Sequence, residues 1–351
     1  AFPSCILGLR AARAGAKFAM PSHGDTVDKD TIFKNYKSVF SRQFGVSLVV
    51  EFIGVMFFQI IGGTSAPSMA PFVNGFALAV WIYVAANISG GHLNPAVSLS
   101  TAMCGFYPLV HTCLYILLQI CGAILGALVT SALVPGADLK VGSGLNGPGC
   151  FDRSVIHASL TDGQIFGWEC VMTFTLISTV YACGVAKPGH GSFTPFAVGL
   201  SLLCCAGSGG QYTGAALNPA RVLGPTAVFK CGEDVAYLYV LGEFTAAILA
   251  MSVFACVSGL GPLNPLKSKT VLDLTWSEAV FLWLFGAPPS RFMKTGRENI
   301  ADLQDHFEKH AAEKSDAPFE PRSHHRAVEK FFGIKPKASG DDAAAEPTLS
   351  A

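Results

Sequence analysis

The sequence predicts an all-α integral membrane protein with six transmembrane helices and two half-spanning re-entrant helices, arranged as an inverted repeat. Three observations predict it. Charged residues make up only 14% of the 351, and just 13 of them fall between residues 44 and 263. With a mean hydropathy of +0.44, that distribution excludes a soluble, disordered or fibrous chain. Six long apolar stretches alternate with two short ones, and each short one begins Asn-Pro-Ala. Finally, the chain aligns with itself at an offset of 124 residues. Formal net charge is zero, so no global basic field points to nucleic acid.

Taken in order, residues 1–43 form a polar N-terminal tail. Its first 19 residues carry Arg10, Arg13 and Lys17 and no acid, a pattern read either as a targeting segment or as translated sequence upstream of Met20. Stretches near 45–63, 72–88, 107–133, 164–183, 193–209 and 236–260 are long and apolar enough to cross a bilayer, which takes about 20 residues. The apolar stretches near 94–104 and 218–229 are too short to cross. Interrupted segments at matching places in two halves point to a site at the membrane midplane. Lys and Arg gather on the side that holds both tails and the 184–192 connection, whereas Lys140, Arg153 and Lys230 alone lie on the other. The termini are therefore expected to be cytoplasmic.

The repeat is detailed. Ser89-Gly90-Gly91-His92-Leu93-Asn94-Pro95-Ala96 lies over Thr213-Gly214-Ala215-Ala216-Leu217-Asn218-Pro219-Ala220. In the same register Tyr115 meets Tyr239, Gln119 meets Glu243, and Ala123-Ile124-Leu125 meets Ala247-Ile248-Leu249; Glu51 pairs with Glu169 at an offset of 118. Repeat 1 spans about 44–134 and repeat 2 about 162–260. With three spans each, the halves insert with opposite topology.

Asparagine is a strong helix N-cap, its side-chain oxygen accepting a first-turn N–H. Proline at the next position has the right φ and lacks a donor the helix could not use. Asn94-Pro95-Ala96 and Asn218-Pro219-Ala220 are thus compact helix starts. While the cap oxygen is engaged, the side-chain NH2 is expected to remain free as a donor. Two half-helices entering from opposite faces would bring Asn94 and Asn218 together near the midplane, each helix end carrying about half a positive charge. Such a waist repels cations and turns water oxygens toward the amides, which breaks a proton wire. Arg221 adds a full positive charge; the competing reading pairs it with Glu169 or Glu243.

The eleven cysteines do not form a disulfide framework or a zinc pattern. Eight of them sit in apolar stretches and behave as small hydrophobes. Cys150 and Cys231 lie in polar loops, but position alone does not establish a bridge, and none is expected. Gly122-x-x-x-Gly126 and Ala246-x-x-x-Ala250 are small-xxx-small pairs, read as helix packing within one chain. The Gly207-Ser208-Gly209-Gly210 run is read as a loop at a pore mouth.

The chain resembles the aquaporins of the major intrinsic protein family, in its water-channel-like branch rather than the glycerol-facilitator branch. Residues 86–97 and 212–221, with Glu51 and Glu169, carry the resemblance, which covers roughly 44–260. It implies a passive, proton-excluding channel over 44–263, assembled as a homotetramer in the lipid bilayer, with no cofactor, no metal and no enzymatic activity. It implies that Glu51 and Glu169 hydrogen-bond the loops bearing the Asn-Pro-Ala motifs, with a proton relay as the alternative. His92 is assigned loop support, with pH sensing as its alternative. The family's filter positions fall on Asn74, Ala206, Ala215 and Arg221, a one-residue slip placing Cys205 where Ala206 is counted. Strict water channels carry two bulky rings there, so this set implies a wider passage for water with urea, ammonia or hydrogen peroxide, and glycerol as a further candidate. Val222, where glycerol facilitators typically have Asp, counts against glycerol. Glu243 departs from the family pattern.

The C-terminal tail, 264–351, contains a capping box, Thr275-Trp276-Ser277-Glu278, ahead of an apolar run to Phe285 that is too short to span and is expected at the interface. Ile300, Leu303, Phe307 and Ala311 form an amphipathic stripe; beyond about residue 315 the chain reads as disordered, with Ser315 and Ser323 as phosphorylation candidates. No H-E-x-x-H, P-loop or nucleophile elbow appears, which argues against an enzyme. A secondary transporter using the intramembrane glutamates is the rival from another class.

Overall fold

A computed structural model describes residues 42–135, 147–186, 189–271 and 274–286. The possible targeting segment, the stripe from Ile300 to Ala311, and Ser315 and Ser323 lie outside the described residues. The elements are α1 (Arg42–Gly63), α2 (Ala70–Ser89), α3 (Pro95–Cys104), α4 (Leu109–Leu133), α5 (Asp162–Val180), α6 (Thr194–Thr213), α7 (Pro219–Phe229), α8 (Ala236–Ser258), α9 (Pro265–Val271) and α10 (Trp276–Phe285). Six are long and apolar enough to cross a membrane, and α5 continues through a π-turn over Tyr181–Val185. At about 1.5 Å per residue, the 10 residues of α3 and the 11 of α7 reach about halfway.

Local chemistry sets the ends. Proline in the first turn opens α2, α3, α6 and α7, where a missing N–H costs nothing. Thr161 and Gln164 form a reciprocal capping box at the start of α5. Gly90 and Gly214 end α2 and α6 in the left-handed conformation, at φ 93° and 85°, which glycine adopts without steric cost.

The packing repeats the sequence repeat. In the first half α1 packs on α2 and α4; in the second α5 packs on α6 and α8. Each half-helix crosses to the other repeat, α7 lying on α4 and α3 on α8. Ser100 of α3 donates to Ala247 O of α8 at 3.0 Å. Gly122 and Gly126 press α4 against α1: a methyl on either would collide with the carbonyl of Phe52 or Met56. Both small-xxx-small pairs thus sit inside the chain, Ala246 and Ala250 being buried as well. The outward faces remain apolar, with Val49, Val80, Leu117, Val171, Leu241 and Val253 about half exposed. A surface of that kind fits lipid rather than water.

Two expectations are corrected. Cys150 and Cys231 are bridged, their Cα atoms 6.0 Å apart across 81 residues of sequence. The loop after residue 147 folds over the end of α7, and Ala127 and Phe229 enclose the bridge in an apolar cluster, a proximity that spacing does not encode. Gly207-Ser208-Gly209-Gly210 is not a loop but part of α6. Of its glycines Gly209 lies too close to Met172 and Trp168 for a side chain, whereas Gly207 faces open space, and membrane helices tolerate glycine where packing compensates.

The segment after α8 docks on the outer end of α3. Gly261 N and Leu263 N donate to the carbonyls of Cys104 and Gly105 at 2.8 and 2.9 Å. Asn264 Nδ2 takes Met103 O at 2.9 Å, and Trp283 Nε1 takes Ala102 O at 2.7 Å. The Thr275–Glu278 capping box is formed at the start of α10.

Candidate functional site

The two half-helix tips meet. Asn94 and Asn218 both have extended backbones and cap their helices, each Oδ1 accepting the N–H two residues on, at 2.8 Å for Ala96 and 3.0 Å for Ala220. Their amide nitrogens reach across the repeat boundary: Asn94 Nδ2 donates to Leu217 O at 2.7 Å, and Asn218 Nδ2 to Leu93 O at 2.8 Å. This corrects the expectation from the cap alone, that the NH2 groups remain free: each gives one hydrogen to the opposite loop. A carboxamide nitrogen has two hydrogens, so one from each residue locks the tips together and one is left over. Leu93 and Leu217, whose carbonyls take these bonds, hold left-handed φ values of 49° and 52°, an uncommon conformation for leucine.

Beside the tips lies a narrow cavity of about 20 Å³, its polar wall made by Gly91, His92 and Asn94 from one loop and Ala216, Leu217 and Asn218 from the other. Leu78, Ile82, Leu176, Val180, Val198 and Leu202 form the apolar wall. That volume suits about one water at a time.

Each tip hangs on a buried carboxylate. Glu51 accepts Ser89 Oγ at 2.6 Å, His92 N at 2.9 Å, Leu93 N at 2.7 Å and Gln119 Nε2 at 2.8 Å. Glu169 accepts Thr213 Oγ1 at 2.6 Å, Ala216 N at 3.3 Å and Leu217 N at 3.0 Å. Tyrosines hold the preceding turns: Tyr107 and Tyr115 donate to Ser89 O, and Tyr239 to Thr213 O. His92 Nδ1 pairs with Ser98 Oγ of α3 at 3.1 Å, tying the loop to the half-helix it precedes.

The correspondence then breaks. Where Gln119 links Glu51 to Ser98, the second half has Glu243 and Val222. Both Glu243 oxygens are buried without a hydrogen-bond partner among the described residues, in the company of Glu169, Arg221 and the Asn218 backbone amide.

Arg221 is 3% exposed. Its guanidinium carbon lies 4.9 Å from the Phe58 ring centre and 5.7 Å from that of Phe151, and its Nε has no partner among the described residues. Asn74 donates to Ala70 O at 2.8 Å and leaves Oδ1 unpaired. It converges with Arg221 over Gly62: a methyl there would collide with Asn74 Oδ1 and lie 3.3 Å from Arg221 Nη2. Ala215, buried at φ 54°, lies 3.9 Å from the methyl that Gly210 lacks. Ala206 and Cys205 are both buried on α6, the Cys205 thiol donating to Met172 O. Asn74, Ala206, Ala215 and Arg221 do not border the midplane cavity, whereas Phe58, which faces Arg221, does. Sequence reasoning missed Phe58 and Phe151, for which no motif or spacing gives a signal. It noted Gln119 as the mate of Glu243 without its bond to Glu51.

The family model described as Major intrinsic protein matches residues 34–254. Nodulin-26 of Glycine max is 32% identical, over 63% of this chain and 80% of its own length. Aquaporin A of Dictyostelium discoideum is 30% identical over 64% and 79% of the two chains, and Aquaporin-4 of Homo sapiens 27% over 67% and 74%. Among solved structures, the aquaglyceroporin from Plasmodium falciparum superposes with a TM-score of 0.52 at 22% identity, over 64% of this chain and 99% of that one, a likeness of fold.

Proposed function

The chain belongs to the major intrinsic protein family, whose members are membrane channels and not enzymes, and on that premise we propose that it passes water and small neutral solutes passively while excluding protons. One observation carries this reading: the reciprocal bonds between Asn94, Asn218 and the opposite loop carbonyls. They fix two helix N-termini face to face beside a cavity that suits one water. A water there meets the remaining amide hydrogens, presents its oxygen to them, and cannot relay a proton in both directions. Two partial positive charges and Arg221 oppose cations.

Asn74, Ala206, Ala215 and Arg221 form the outer filter. With an amide and two methyls in place of rings, it admits urea, ammonia and hydrogen peroxide beside water, while Val222 counts against glycerol. Glu51, Glu169 and His92 hold the loops. Both termini are cytoplasmic. In support, the bridged Cys150 and Cys231 lie on the side poor in Lys and Arg, and disulfides persist in oxidising compartments. The apolar outer faces serve the bilayer and the contacts of a homotetramer.

One feature favours a secondary transporter, which would need a titratable coupling group: the unpaired carboxyl of Glu243. Glu51 and Glu169 are engaged by loop donors, which leaves them poorly suited to that work.

Stopped-flow swelling of proteoliposomes with water, urea, glycerol and ammonia gradients tests the proposal. The expected result is fast water and urea flux, linear in gradient and indifferent to sodium and pH. Urea flux at the bare-lipid rate would refute the wide filter, and saturable, sodium- or proton-coupled flux would favour the transporter.

A further inference from the structure

Arg221 is a buried cation whose Nε finds no hydrogen-bond partner among the described residues; it lies in the field of Glu169 and Glu243, and two aromatic faces stand against its guanidinium. Phe58 belongs to a spanning helix. Phe151 belongs to a loop, and what fixes that loop is unusually local. Cys150, its neighbour, is bridged to Cys231, two residues past the end of the half-helix that carries Arg221. The carbonyl of Phe151 lies so close to Gly232 that a methyl there would collide with it. Its ring stands 5.5 Å from that of Tyr239 and would lie 3.1 Å from a methyl on Gly214. Arg153 ties the same loop to Asp162 at 3.0 Å and Asp234 at 3.1 Å. These hydrogen bonds, to Asp162 first, hold its guanidinium above the ordinary arginine range.

The two carboxylates attract the charge without a hydrogen bond to Nε, so a directional contact is needed to fix the orientation of the guanidinium. A ring face within about 6 Å of the charge does so through its quadrupole, and more strongly when both are desolvated. We propose that Phe151, set by the Cys150–Cys231 bridge, is a positioning residue for the Arg221 guanidinium and through it determines which solutes and ions pass. The inference rests on the reading of Arg221 as a filter residue. The disulfide ties the far end of the half-helix to the ring that steers a side chain at its near end, so reducing it loosens the filter without touching the midplane asparagines.

The test uses the full chain in proteoliposomes, with urea-to-water permeability ratio and proton flux as readouts. Phe151→Leu is expected to raise the ratio about fivefold, the change a cation–π contact of moderate strength supplies. Phe151→Tyr, which keeps the ring face, should restore the wild-type ratio, and R221V should raise the ratio at least as far as the leucine variant. Combining R221V with Phe151→Leu should add nothing to R221V alone, because the two act through one group. A membrane-impermeant phosphine provides a route that does not depend on folding a variant: with water it cleaves the bridge to two thiols and becomes a phosphine oxide. Once thiol labelling shows cleavage, the ratio in the wild type should rise and that in R221V should not. The inference is overturned if R221V shifts the ratio while Phe151→Leu and reduction leave it unchanged, if Phe151→Tyr behaves as the leucine variant does, or if the double variant is additive. If R221V itself leaves the ratio unchanged, the filter reading fails and the inference with it.

Discussion

In the first repeat, Glu51 accepts four hydrogen bonds, the fourth from Gln119, which also reaches Ser98. In the second, Glu169 accepts three, and the residue at Gln119's place is Glu243, whose carboxyl makes no hydrogen bond among the described residues and lies near Arg221. The backbone they support is nonetheless the same: left-handed Leu93 and Leu217, capped Asn94 and Asn218, reciprocal amide bonds. The outer ends of the half-helices differ as well. Hydrogen bonds from the segment after α8, ending in Trp283, hold α3, whereas a disulfide holds the region beyond α7. The difference teaches that the geometry at the tips is conserved between the halves while its supports are not. A tip needs a carboxylate facing two loop N–H groups; what buttresses the carboxylate or anchors the far end is open to substitution.

That distinction can be broken from either side. The largest effect is expected from Glu51→Ala, which removes the acceptor of four hydrogen bonds, against three for Glu169→Ala. Thermal unfolding in detergent should show Glu51→Ala the worse, with a loss of at least about 4 kcal/mol. Cys150→Ser, which removes the second half's anchor, should cost about 2–4 kcal/mol, and calorimetry of the variant against the oxidised chain checks it. Gln119→Glu gives the first half the acid of the second and takes a donor from Glu51, so about 2 kcal/mol should be lost in a urea titration. Trp283→Phe keeps the packing and leaves Ala102 O with one donor fewer. About 1 kcal/mol of stability should go with water permeability unchanged; a loss of permeability would give Trp283 a role in the passage. Smallest and opposite in sign, Glu243→Gln replaces an unpaired carboxyl by a neutral amide. It should raise the melting temperature modestly and leave solute selectivity alone.

Much of this was legible in the sequence because the bilayer imposes strong rules. Length and apolarity located the six spans, and Asn-Pro-Ala on segments too short to cross located the half-helices. What stayed hidden depends on proximity in space. Cys150 and Cys231 are separated by 81 residues, and nothing in their flanks says that the loop folds over the end of α7. Phe58 and Phe151 reach Arg221 from two unrelated segments, by a contact with no spacing rule. The cap chemistry of asparagine was readable, but the use of one amide hydrogen on the opposite loop needed the two loops docked. Gly207-Ser208-Gly209-Gly210 misled because a glycine run signals a loop in water, whereas in α6 its Gly209 lets the helix approach Met172 and Trp168.

On the proposed function, the locked asparagine pair passes water and stops protons. Proton flux after a pH jump, measured beside osmotic water flux in proteoliposomes over a range of protein content, tests it most directly. Water flux should climb in proportion to protein while proton flux stays at the level of bare lipid. Proton flux that climbs alongside it would contradict the account.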